Sequence, residues 1–119
     1  MINRTSVVTL FARMTADGID PSQPLLWGYY FTGHDERKLH VAAPLLAAQG
    51  YRVVDISPAD AKPGTPPRYY LHIERAERHS VDSLDARNHQ FHGFAAEQGL
   101  DYDGMDVGRV DGKPFKSDR

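Results

Sequence analysis

Residues 69–108, YYLHIERAERHSVDSLDARNHQFHGFAAEQGLDYDGMDVG, decide the fold, because they read as a strand, a helix and a second strand in close succession. Over Arg68–Arg75, Tyr70, His72 and Glu74 alternate with Tyr69, Leu71 and Ile73. That period of two places the polar set on one face of a strand and the apolar set on the other. Ser80 or Asp82 then starts a helix whose apolar side is Val81, Leu84, Phe91, Phe94 and Ala95, and Gly99 stops it. Asp101–Val107 follows as a strand, with Gly104 weakening its middle.

The same grammar extends upstream. Leu25–Thr32 (LLWGYYFT) is apolar on both faces, as a central strand is. Leu25, Trp27, Tyr29 and Phe31 share one face; Leu26, Gly28, Tyr30 and Thr32 share the other. Thr32 is placed to cap a helix that buries Leu39, Ala42, Ala43, Leu46 and Ala47 and stops at Gly50, while Pro44 predicts a kink or break near residues 40–43. Tyr51–Ile56 is the next strand, and Ser57–Pro67, with four of the chain's prolines, is a loop. Ahead of all this, Val7, Leu10, Phe11 and Met14 form one apolar stripe of a short helix over residues 5–16, capped by Thr5 or Ser6 and ended by Asp17-Gly18. A helix followed by β-α-β-β-α-β predicts an α+β, ferredoxin-like sandwich with a short extra N-terminal helix. Its four antiparallel strands take the spatial order 4-1-3-2, with two helices on one face. One domain is expected over residues 1–119, with a core at 25–107 and a polar tail at 108–119.

Composition narrows the function classes. A chain that is 40% hydrophobic and 25% charged has the balance of a folded globular domain. A formal net charge of -2 favours neither a nucleic-acid polyanion nor a membrane surface as partner. The absence of cysteine removes disulfides, thiol catalysis and thiolate metal sites. No apolar run reaches the roughly 18 residues of a spanning helix, so the cytoplasm is the default location.

Three constellations carry possible chemistry. Asp85, His89 and His92 share a helix face at i, i+4, i+7, a donor set for a metal, although the two histidines lack the i, i+4 spacing of zinc motifs. His72 and Glu74 share a strand face beside Tyr70 and Tyr30 and offer a general acid–base pair, or a half-exposed sheet surface of cross-strand pairs. The same Tyr30 and Tyr70 on central strands would suit base stacking by a single-stranded RNA module. Yet Arg68–Arg75 does not match the aromatic signature of such modules, and the net charge opposes direct nucleic-acid binding. His79-Ser80 with Asp82 lacks the surroundings of a catalytic triad. No catalytic residue, metal or cofactor is assigned.

The order of local signals resembles the regulator of ribonuclease E activity B family, RraB, also described as ribonuclease E inhibitors. The likeness runs from about Met14 to Gly108. It rests on Asp17-Gly18-x-Asp20-Pro21 after a first helix, the Thr32-capped helix with Leu39 and Ala42-Ala43, and the Gly50-Tyr51 exit. Asp82, Asp85 and Ala86 in the second long helix and the Tyr102-Asp103-Gly104 tripeptide complete it. Met105 stands where the family often carries tryptophan, and the chain is less acidic than the better-known members. The resemblance implies a ferredoxin-like sandwich and a non-catalytic regulator. Such a regulator binds a protein partner, ribonuclease E or an RNA-degradation complex, and restrains RNA cleavage. The residues expected to meet that partner are Asp82, Asp85, Asp101, Asp103 and Asp106, the last three as an acidic strip along a bulged edge strand.

Overall fold

Strand β1 (Leu25–Gly33) lies inside the sheet, with a neighbouring strand hydrogen-bonded along each of its edges. The computed structural model describes residues 2–59 and 63–110. Around β1 the chain adds α1 (Arg4–Ala16), α2 (Glu36–Ala48), β2 (Arg52–Pro58), β3 (Tyr69–Glu77), α3 (Val81–Gln98) and β4 (Asp101–Gly108). The sheet runs β2-β3-β1-β4 with every neighbouring pair antiparallel, the order expected of a ferredoxin-like arrangement with an N-terminal helix. Tyr30 faces His72, Thr32 faces Tyr70, and Gly28 faces Glu74 across β1–β3, so the predicted faces of both strands stand.

The helices cover one side of this sheet. Trp27, Tyr29 and Phe31 from β1 and Leu71 and Ile73 from β3 are buried beneath Leu39 and Leu46 of α2 and Leu84 and Phe91 of α3. Full burial of side chains of this size contributes roughly 1.5–3 kcal/mol each. Phe91 meets Tyr29 and Phe31 edge-on at 4.8 and 5.2 Å, which sets α3 over the middle of the sheet. α1 docks against α3 with Val7 and Met14 buried, and Phe11 stacks over Trp27 at 6.2 Å. Among the described residues, no helix covers the opposite side of the sheet.

Five local expectations need correction. Thr32 does not cap α2; it lies fully buried inside β1, and Asp35 caps the helix by accepting from the Arg37 amide. Neither Thr5 nor Ser6 caps α1. Asn3 does, and Ser6 completes the reciprocal cap from the N3 position. α2 runs unbroken through Pro44, and Ala47 faces solvent. Both Pro44 and His40 are exposed, so the carbonyl that proline leaves without a donor faces water. The loop at 57–67 begins later than expected, since Ser57 and Pro58 belong to β2, and its residues 60–62 lie outside the described residues, as does the tail from 111.

Two edge irregularities shape the open side. In β4 the register shifts between Tyr30 and Phe31, leaving Asp103 as the extra residue, a β-bulge as its Tyr-Asp-Gly sequence suggested. In β2 the register shifts between Val53 and Asp55, leaving Val54 unpaired.

Candidate functional site: the open face of the sheet

Because β-strand side chains alternate, the uncovered face collects one residue in two from every strand. It carries Tyr30 and Thr32 from β1, Tyr70, His72 and Glu74 from β3, Arg52, Asp55 and Ser57 from β2, and Asp101 and Asp106 from β4. Tyr30, Asp55, Ser57, Tyr70, His72 and Asp103 line a depression of about 330 Å³. Within it the Tyr30 and His72 rings stack at 4.4 Å and 10°, and Tyr70 stands edge-on to Tyr30 at 6.4 Å and 85°.

Gly28 makes this arrangement possible. It is buried beneath the Asp106 carboxylate and the His72 ring, and a Cβ there would sit 2.9 Å from His72 Nε2 and closer still to Asp106. With no side chain at 28, Asp106 can reach over β1 and accept the Tyr30 hydroxyl proton at 2.7 Å. Burial, then this bond and the nearby Asp106, Asp55 and Glu74 charges, push the Tyr30 phenol above its ordinary range. Glu74 is bridged to Arg52, and Arg68 donates to the Thr32 hydroxyl at 2.6 Å while reaching Asp101 and Asp103 at 3.9 and 4.0 Å. His72 and Glu74 therefore face the same way but serve different partners, so they do not form an acid–base pair.

The five aspartates expected to meet a partner fall into two groups. Asp101, Asp103 and Asp106 gather on β4 beside the depression. Asp82 and Asp85 belong to α3 in the helix layer, where Arg4 of α1 pairs with them at 2.6 and 3.5 Å. The candidate metal face does not converge either. Asp85 sits 3.7 Å from His89, whereas His92 Nε2 bonds the Ile2 carbonyl at 2.9 Å and its ring packs on Tyr102. Among the described residues, no three His, Cys, Asp or Glu side chains group as metal ligands.

A second polar cluster escaped the sequence reading. Glu77, 8% exposed, accepts from Tyr29 at 2.7 Å, from Arg75 at 2.7 Å and from Arg87 at 2.6 Å, and lies 3.1 Å from His79 Nε2. Burial opposes the Glu77 charge, but the bonds from His79, Tyr29, Arg87 and Arg75 outweigh it and hold the carboxyl well below its ordinary value. Its signal was the period of two continuing past the expected strand end, since Arg75, Glu77 and His79 follow Ile73 on the core side. Ser83 contacts His79 Nδ1 at 2.9 Å, but its hydroxyl closes the first turn of α3 on the Ser80 amide and carbonyl. The cluster welds α3 to the ends of β1 and β3. It does not present a reactive group. Asp55 was also missed, because its side was fixed only by the bulge before it.

Met105 turns away from all of this. It pairs with Tyr29 on the helix side and receives the Asn88 amide at 3.3 Å, so exchanging tryptophan for methionine there bears on packing under α3 and not on the open face. Among the described residues, no helix is long and apolar enough to cross a membrane. No curated protein sequence matches the chain. The family profile described as regulator of ribonuclease activity B matches residues 8–107, from within α1 to the end of β4. Because that match covers most of the chain, the chain belongs to the regulator of ribonuclease activity B family.

Proposed function

We propose that this protein is a non-catalytic regulator that restrains a ribonuclease by binding it through the open face of the sheet. The observation that carries the reading is that face itself. Among the described residues it gathers five carboxylates, Asp55, Glu74, Asp101, Asp103 and Asp106, against the two guanidiniums of Arg52 and Arg68, around the half-buried Tyr30 and Tyr70 and with no helix over them. Such a surface favours a basic protein partner and repels the phosphates of RNA. The partner we favour is ribonuclease E or a component of an RNA-degradation complex.

The test has two parts. Affinity purification of a tagged copy from native lysate, at low and moderate salt, should recover the endoribonuclease or its complex, more of it at low salt. Cleavage of a defined RNA by that enzyme should slow in proportion to the amount of regulator added and saturate near equimolar ratio. Cleavage unaffected by an excess of the regulator would end this reading.

A further inference from the structure

We infer that the depression between Tyr30, Tyr70 and His72 is a recognition pocket for the guanidinium of an arginine presented by a basic segment of the partner protein. The inference rests on the open face being the docking surface and names the chemistry that face selects.

Three features converge on a planar cation. The first is the aromatic corner. Tyr30 and His72 lie flat against each other and Tyr70 stands at a right angle to them, so a guanidinium can lie on one ring and meet the edge of another. The Tyr30 hydroxyl is held by Asp106, which fixes the corner before any ligand arrives.

The second is the origin of the carboxylates. Asp55 and Asp103 both line the pocket, they come from opposite edge strands, and each sits at a β-bulge. Bulges re-aim side chains, and here both irregularities of the sheet bring an acid to the same depression. Asp55 carries no hydrogen bond or ion pair among the described residues, and Asp103 has only the Arg68 contact at 4.0 Å.

The third is that, among the described residues, the nearby arginines do not fill the space between the two acids, Arg68 only reaching Asp103 from one end at 4.0 Å. Arg52 is bound to Glu74, and Arg68 is anchored on Thr32 at the end of the depression. Two carboxylates on opposite sides of a flat aromatic surface suit the spread donors of a guanidinium better than a compact, strongly hydrated ammonium.

The experiment uses the full chain and fluorescence anisotropy with a labelled peptide of alternating arginine and glycine. Matched lysine and citrulline peptides and a single-stranded RNA oligonucleotide serve as comparators at one salt concentration. The arginine peptide should bind about tenfold more tightly than the citrulline peptide and severalfold more tightly than the lysine peptide. Asp55→Asn and Tyr70→Ala, both at exposed or half-exposed positions, should each cost about five- to tenfold in affinity, while Asp82→Asn changes nothing. Amide shifts on titration should centre on residues 30, 55, 70, 72 and 103. Equal affinity for arginine and citrulline peptides, shifts centred elsewhere, or tighter binding of the RNA would overturn the pocket. Arginine selectivity in a protein that leaves ribonuclease cleavage untouched would uphold the pocket and end the regulator reading. Control of cleavage by a protein that binds arginine and citrulline alike would do the reverse.

Discussion

Single residues separate stability from recognition in this protein. The Glu77 side chain is largely buried with its charge intact, and replacing the carboxylate by an amide leaves the Arg75 and Arg87 guanidiniums around a neutral group. Glu77→Gln should therefore destabilise the fold by about 3 kcal/mol, measured by urea denaturation at neutral pH. The folded state holds the Glu77 carboxyl below its ordinary 4.5, so as pH falls the unfolded chain takes up the proton first. The stabilisation is complete above that value and is lost progressively below it. The gap between wild type and Glu77→Gln should thus be widest near pH 7 and narrow towards pH 3; a gap that stays constant would show that the charge is not its source. Gly28 acts on the other side of the sheet. A Cβ there meets only the ends of two side chains, and Asp106 is exposed and free to swing away. Gly28→Ala should cost less than about 1 kcal/mol of stability yet break the Tyr30–Asp106 bond and loosen the aromatic corner. The readouts are an unfolding midpoint close to wild type and a severalfold loss of arginine-peptide affinity. Glu77 fell beyond the expected end of its strand, although the period of two continues to it, and Gly28 entered only as one position on a strand face.

Whole elements were more legible, because their signals repeat. The alternation of Leu71 and Ile73 with His72 and Glu74 marked the two faces of β3, and the three helices end within two residues of Gly18, Gly50 and Gly99. The errors came from competing local rules. Thr32 has the chemistry of a cap, but continuing β1 by one more pair buries it under Arg68 and passes the cap to Asp35. Pro44 should break a helix, and α2 continues because its Leu39, Ala42, Ala43 and Leu46 face holds both halves on the sheet while the proline faces water. That explanation makes a claim about cost. The helix still lacks the bond from residue 44 to the His40 carbonyl, so Pro44→Ala should stabilise the protein by up to about 3 kcal/mol without moving any core residue. A thermal unfolding midpoint equal to or below that of wild type would mean that the chain bends at 44 to relieve the clash, as the sequence alone suggests.

At the scale of the whole molecule, the two layers divide the labour. Apolar side chains and the Glu77 cluster lie between sheet and helices, and acids outnumber arginines on the face that the helices leave open. The sequence placed five aspartates in one functional set, because distance along the chain says nothing about which side of a sheet a residue reaches. In the fold, Asp82 and Asp85 are held by Arg4 between α1 and α3, whereas Asp101, Asp103 and Asp106 flank the aromatic corner. The two groups should behave differently. Replacing Asp101, Asp103 and Asp106 together by asparagine should leave far-UV circular dichroism unchanged and weaken partner binding at least tenfold in low salt, chiefly by slowing association. Because exposed charges are screened over about 10 Å at 0.1 M salt, that difference should shrink as salt rises, and the triple variant should show the flatter salt dependence. Replacing Asp82 and Asp85 should change stability little, because their partner Arg4 is exposed and the pairs are screened by water, and leave affinity and its salt dependence as in wild type. If the pair on α3 matters as much as the trio on β4, the partner must wrap the edge at β4 and touch both layers. The helix layer would then belong to the docking surface as well.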